Sequence, residues 1–137
     1  MAKEIKVFKF GGASVRDAEA IKHVGSILQS YQAERLVIIV SAMGGVTNAL
    51  EEVVRAHQAR QPEAYELLAQ IQRRHYDTAR ELLGEQHPVY DELNDHFATV
   101  EWTLDEEPDE NYDFVYDQIV SLGELASSSI VAAYLNS

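Results

Sequence analysis

Cysteine is absent from the 137 residues, which removes disulfides, thiolate metal sites and cysteine nucleophiles together. Basic side chains are scarce, with 11 Lys and Arg against 23 Asp and Glu and a formal net charge of -12. A field of that sign repels nucleic-acid phosphates and anionic lipid headgroups. Long apolar runs are lacking as well. The longest aliphatic one, Leu36 to Val40, is far shorter than the roughly 20 residues that span a bilayer, and the opening MAKEIKVFKF has no extended apolar region of a secretory signal. Metal-ligand spacing is missing from His23, His57, His75, His87 and His96, so they read as surface or core-edge groups, with no metal site. These absences lead to the expectation of a cytoplasmic protein with no nucleic-acid and no membrane partner.

What is present fits one core at most, since 46% of the residues are hydrophobic. Ile5 to Phe10 is rich in β-branched and aromatic types and reads as a buried strand ending at a glycine pair. Ile21, Val24, Leu28 and Tyr31 then recur at the spacing of one helix face. Leu36 to Val40 reads as a second strand, of the all-aliphatic kind expected when both faces of a sheet are covered. It ends at SAMGG, and a helix follows near Thr47, with Asn48 and Glu51 spaced for a capping-box-like start.

Strand, glycine turn and helix thus occur twice in tandem. That order predicts an α/β fold with parallel strands, right-handed crossovers and ligand-binding loops at the carboxyl edge of the sheet. From Pro62 the pattern becomes helical: a long helix closed by Gly84, then another carrying Val89, Leu93, Phe97, Val100 and Leu104. Six acids crowd Asp105 to Asp113, "DEEPDENYD", an exposed connection that lacks the alternating oxygens and central glycine of a calcium loop. Trp102, Phe97, Tyr112, Phe114 and Tyr116 flank it and read as packing of the helical hairpin. A last helical stretch, about Phe114 to Leu135, is interrupted at Ser121-Leu122-Gly123-Glu124. Two parallel strands alone are not a stable domain, so residues 1–137 are expected to be the front portion of a larger protein.

Three stretches hold candidate chemistry. In KFGGASV, glycines after a strand let a backbone approach an anion, the helix N-terminus beyond offers N–H donors, and Lys9 adds a point charge. The spacing matches neither the P-loop nor GxGxxG, and simple turn geometry is the competing reading. In SAMGGVTN, hydroxyls flank a second glycine pair where a helix begins, suited to a carboxylate or phosphate; Thr47 or Asn48 acting only as a helix cap is the alternative. In SLGELASSS, a glycine among small residues lets a backbone or a ligand come close. There Glu124 has the charge to pair with a substrate ammonium, or else simply faces solvent.

Taken together and in this order, KFGGASV, VSAMGGVTNAL and SLGELASS resemble the three N-terminal signatures of the aspartokinases, of the amino-acid kinase fold family. The helical hairpin between the second and third resembles the helical excursion of that family. Ala13 departs from it, standing where threonine is common, while Ser14 is retained. The resemblance implies the N-terminal portion of an αβα, carbamate kinase-like fold, and phosphorylation of the β-carboxylate of L-aspartate by ATP with Mg2+. That reaction opens lysine, threonine and methionine biosynthesis. It further implies that Lys9, Phe10, Gly11 and Gly12 bind ATP, with Lys9 catalytic, that Ser41 and Thr47 hold the substrate, and that Glu124 reads its α-ammonium. The family's RGGSD signature, its nucleotide-base pocket and its regulatory ACT domains come later and are not in this chain. By itself the chain is therefore expected to be inactive, and its complete form to be a homo-oligomer. Glutamate, acetylglutamate, carbamate or a nucleotide as acceptor, and a non-catalytic interaction domain, are the alternatives.

Overall fold

A computed structural model describes residues 4–137; the first three residues of the MAKEIKVFKF segment lie outside them. The chain runs β1 (Ile5–Phe10), a single 3-10 turn (Gly12–Val15), α1 (Ala18–Gln29), β2 (Arg35–Val40), α2 (Val46–Gln58), α3 (Glu63–Leu83), α4 (Val89–Asp105), α5 (Tyr112–Val120) and α6 (Leu122–Leu135). Among the described residues the sheet has two strands, paired in parallel from Ile5 opposite Arg35 to Phe10 opposite Val40. This is the βαβ unit that the tandem strand, turn and helix pattern predicts.

Strand alternation divides the sheet into two unlike faces. Phe8, Phe10, Leu36, Ile38 and Val40 pack toward the helical core, with Phe8 edge-on to Tyr31 at 4.8 Å. Ile5, Val7, Val37 and Ile39 lie on the other face, and Val7 is 61% exposed. The expectation of a buried strand pair covered on both faces is therefore corrected. Only the helix-bearing side is covered, although the sequence carries aliphatic residues on both.

The helices form the larger part of the core. α2 packs against α3 and α5, and α4 against α6, burying Leu50, Val53, Leu68, Ile71, Leu93, Phe97, Ile119 and Ile130 among others. α3 ends where Gly84 adopts φ 80° and ψ -174°, a backbone region that only glycine occupies without strain. Its carbonyl accepts a hydrogen bond from the Tyr90 hydroxyl at 2.5 Å, which fixes the hairpin turn. The acidic connection is exposed, as expected, and Arg60 pairs with Glu107 within it. Trp102, Tyr112 and Phe114 are exposed rather than packed in the hairpin, whereas Phe97 is fully buried. By length and composition alone, 112–135 is apolar enough to cross a membrane. It is divided at Ser121, carries Asp117 and Glu124, and contributes Ile119, Leu122, Ala126 and Ile130 to the core.

His75 and His57 depart from the surface or core-edge reading. His75 is fully buried in α3, its Nδ1 2.8 Å from the Ile71 carbonyl and its ring edge-on to Phe97 at 5.6 Å. Its Nε2 meets no hydrogen-bonding partner among the described residues. A helical repeat that places it with Ile71 and Ala79 makes it part of the core face, and its ring fills space there as an apolar group would. Burial lowers the pKa of His75 below 6.5; the Ile71 bond opposes this and the Arg74 charge adds to it. The unfolded chain then takes up a proton near pH 6.5 that the folded chain refuses, so stability falls as pH drops below that value. We expect the unfolding free energy from urea titrations to decline from pH 7 to pH 5.5, by at most about 1.4 kcal/mol per pH unit from this group, and less steeply in His75→Gln. An identical slope in both proteins would contradict the assignment.

Candidate functional site

The three candidate stretches meet at the carboxyl edge of the sheet. β1 and β2 deliver the first and second glycine loops side by side, because the strands are parallel and in register to their last residues. The Ser41 amide donates to the Phe10 carbonyl at 3.0 Å, extending the pairing into the loops. A Cβ on Gly12 would stand 3.0 Å from the Ala42 carbonyl oxygen and 3.4 Å from the Gly44 Cα. One on Gly44 would stand 3.3 Å from the Gly12 carbonyl oxygen. Each glycine pair thus gives one residue to loop-on-loop packing, a use that neither the turn reading nor the phosphate reading anticipates. Gly11, by contrast, has nothing within 4 Å of its Cβ position, so its backbone is open to a ligand.

The third stretch closes the site from α6. Gly123 lies so close to the second loop that a Cβ there would be 2.8 Å from the Ala42 Cβ. One turn later the buried Ser127 hydroxyl donates to the Ser41 carbonyl at 2.8 Å. Gly123 and Ser127 share a helix face, as residues four apart must, and that face is seated on the second loop. Glu124 follows Gly123 at about 3.8 Å between Cα atoms and is exposed at the same junction.

The two helix starts near the loops differ. α1 does not begin at the glycines: a 3-10 turn intervenes, and Asp17 caps α1 by accepting from the Ala20 amide at 2.8 Å. A carboxylate already occupies that N-terminus, which corrects the idea that the helix after KFGG offers its N–H groups to phosphate. α2 starts behind Gly45, whose φ of 85° is left-handed, and it has no side-chain cap. The Asn48 and Glu51 capping box does not form either, because α2 already begins at Val46 and Asn48 lies inside its first turn; Glu51 accepts instead from the Tyr116 hydroxyl at 2.8 Å. The Val46 amide donates to the Met43 carbonyl at 2.9 Å, which leaves the Thr47 and Asn48 amides of the first turn of α2 to face an anion, with Thr47 exposed beside them.

Lys9 is exposed on the uncovered face of β1, opposite Ile39. Phe10 points the other way, stacked with Phe8 at 6.3 Å, so any role it has at the site falls to its backbone. Ser41 is half-buried, with its amide and its carbonyl both engaged as above, which fixes its backbone at the edge of the site. Sequence reasoning passed over Ser127 and Arg74. The first hid in a run of small residues read only as permissive. The second lies in QRRHY, where nothing local distinguishes one arginine from the next. Among the described residues no group of three or more His, Asp or Glu side chains converges to hold a metal ion.

The glycine loops of a parallel βαβ unit thus converge with a helical glycine at the carboxyl edge of the sheet, the edge at which α/β folds bind ligands. Residues 4–137 match the model of the Amino acid kinase family, and the chain belongs to that family. The curated proteins to which it is similar are aspartokinases. Aspartokinase 2, chloroplastic, of Arabidopsis thaliana is 36% identical over 141 residues, covering 95% of this chain and 24% of that protein. The aspartokinase of Chlamydia trachomatis serovar D is 32% identical over 129 residues, covering 93% and 27% respectively. Among solved structures, E. coli aspartokinase III in complex with aspartate and ADP aligns with a TM-score of 0.81 at 27% identity, over 97% of this chain and 29% of that one. The chain spans about a quarter of the length of these curated relatives.

Proposed function

We propose that this chain is the N-terminal part of the catalytic domain of an aspartokinase, which transfers the γ-phosphoryl group of ATP to the β-carboxylate of L-aspartate. The observation that carries the reading is the convergence of the three loops: Gly12 against Gly44, and Gly123 against Ala42. Three weak motifs far apart in sequence lie together at one edge of the sheet. Similarity to a solved aspartokinase holding aspartate and ADP supports the choice of ligands.

In this reading a carboxylate oxygen of aspartate forms the new O–P bond, and the bond from the γ-phosphorus to the bridging oxygen breaks, leaving ADP. A carboxylate is nucleophilic at neutral pH, so no covalent enzyme intermediate is required, and positioning with charge neutralisation supplies the catalysis. Lys9 compensates charge on the phosphoryl group in flight, and the backbone at Gly11 and Gly12 lines its path. Thr47, the Ser41 hydroxyl and the first turn of α2 hold the acceptor, and Glu124 pairs with its α-ammonium. Mg2+ accompanies ATP as it does in phosphoryl transfer generally, and no step is assigned to it through residues of this chain. A cytoplasmic, homo-oligomeric enzyme serving lysine and threonine biosynthesis completes the proposal.

The test is an acceptor screen with the full-length protein and ATP, trapping the acyl phosphate with hydroxylamine. Aspartate is expected to give hydroxamate, and glutamate, acetylglutamate and carbamate are not. Turnover with one of those in place of aspartate would keep the fold and refute the substrate. Residues 1–137 alone are expected to give little or no product, and a normal rate from them would refute the proposed division of the domain.

A further inference from the structure

We propose that Arg74 is a positioning residue for the acceptor loop, an inference that rests on the kinase reading above. It belongs to α3, part of the helical excursion rather than of the sheet. The register of α3 buries Ile71, His75, Thr78 and Ala79 and leaves Arg74 half-buried on the flank nearest the glycine loops. There its Nη2 donates to the Arg16 carbonyl at 2.8 Å, across 58 positions of sequence. Its Nη1 stands 3.8 Å from the Cβ position of Gly45, the left-handed residue from which α2 starts. Arg74 lines a shallow groove together with Val46, Ala49, Glu52 and Ile71. A single guanidinium is therefore bonded to the exit of the first loop and stands beside the end of the second.

The arrangement has an electrostatic cost that an ordinary surface arginine avoids. A cation at a helix N-terminus opposes the helix dipole, and among the described residues no carboxylate pairs with Arg74 within 4.0 Å. Arg73, its neighbour, is paired with Glu66 at 3.1 Å. What offsets the cost is geometric: the planar fork donates one nitrogen to the Arg16 carbonyl while placing the other beside Gly45, a span that a lysine ammonium does not cover. Arg74 thus holds the Gly44-Gly45 turn against the first loop and adds positive potential beside Thr47, where the carboxylate of the acceptor is placed. Binding of an anionic acceptor relieves the opposition to the dipole, so the residue acts on the acceptor side and not on the nucleotide side.

The test uses the full-length protein with Arg74→Met, which keeps the apolar stem, and Arg74→Lys, which keeps the charge. Hydrogen exchange and steady-state kinetics are both read. For Arg74→Met we expect KM for aspartate to rise about tenfold with KM for ATP within about twofold, and for Arg74→Lys a rise of about threefold. Amides of residues 44–48 should exchange about tenfold faster in Arg74→Met, whatever acceptor the protein uses. The exchange result separates the two proposals: faster exchange without aspartate turnover leaves Arg74 its role and sinks the substrate. Unchanged exchange at 44–48, or equal shifts in both KM values, overturns the role of Arg74. Should Arg74→Met melt too low to assay, the lysine variant decides, and kinetic constants and exchange equal to those of the parent overturn the inference.

Discussion

Lys9→Met in the full-length protein is expected to lower kcat by about 10^2 to 10^3, with little change in stability. Lys9 provides a full charge next to the open Gly11 backbone, on the face of β1 that no helix covers. In a site where phosphoryl charge is stabilised by fixed groups, removing one such group costs about 2.7–4 kcal/mol of transition-state stabilisation. Methionine keeps the unbranched stem and removes only the charge. Lys9 makes no ion pair among the described residues, in contrast to Lys6, whose Nζ lies 3.3 Å from Glu34. The melting temperature should therefore hold, with a change within about 0.5 kcal/mol, as for other surface positions. The informative quantity is the pairing of a large kcat effect with an unmoved Tm. A Lys9→Met enzyme with normal kcat would remove the phosphate role from Lys9 and return KFGG to the plain-turn reading.

Much of the architecture was legible in the residues, for identifiable reasons. β1 occupies Ile5–Phe10 as read, because β-branched and aromatic residues run straight into glycines. The end of α3 at Gly84 follows from a local backbone preference that neighbours do not override, whereas the interruption read over Ser121 to Glu124 narrows to Ser121, which keeps helical dihedrals, with Gly123 inside α6. Features that depend on what lies across from a residue were not legible. The sequence of β2, RLVIIV, is aliphatic on both faces, so it does not reveal that one of them is uncovered. Asp17 competes for the N-terminus of α1, and Tyr116 for the Glu51 carboxylate; both outcomes depend on distances that spacing alone does not contain. His75 was misplaced for a similar reason, since a polar residue on a core face declares itself only when its partners do. The site divides the same way. Glycine pairs announced that the backbone comes close to something, but the something is first of all another glycine loop, with the ligand side left to Gly11.

The seating of α6 on the second loop makes Gly123 the position where the largest loss of stability is expected. Substitution by valine should destabilise the protein by about 1–3 kcal/mol, the range for overpacking a well-filled core. The Cβ alone would sit 2.8 Å from the Ala42 Cβ and 3.3 Å from Leu50 Cδ1 and Val46 Cγ1. All three neighbours are buried, and Ala42 has no rotamer by which to withdraw. Helix propensity pulls the opposite way, because Gly to Ala in an unconstrained helix gains about 1 kcal/mol. The two effects are separable through the series. If packing governs, stability falls in the order Gly, Ala, Val, and Gly123→Ala gains nothing from its propensity; if propensity governs, the alanine variant is the most stable of the three. Displacing α6 would also strain the Ser127 to Ser41 hydrogen bond one turn away, and with it the loop that carries the acceptor. The surviving valine enzyme should accordingly show a raised KM for aspartate with a smaller change for ATP. A Gly123→Ala protein that melts higher than its parent would show that α6 is not seated on the second loop as described, and would separate Glu124 from the site.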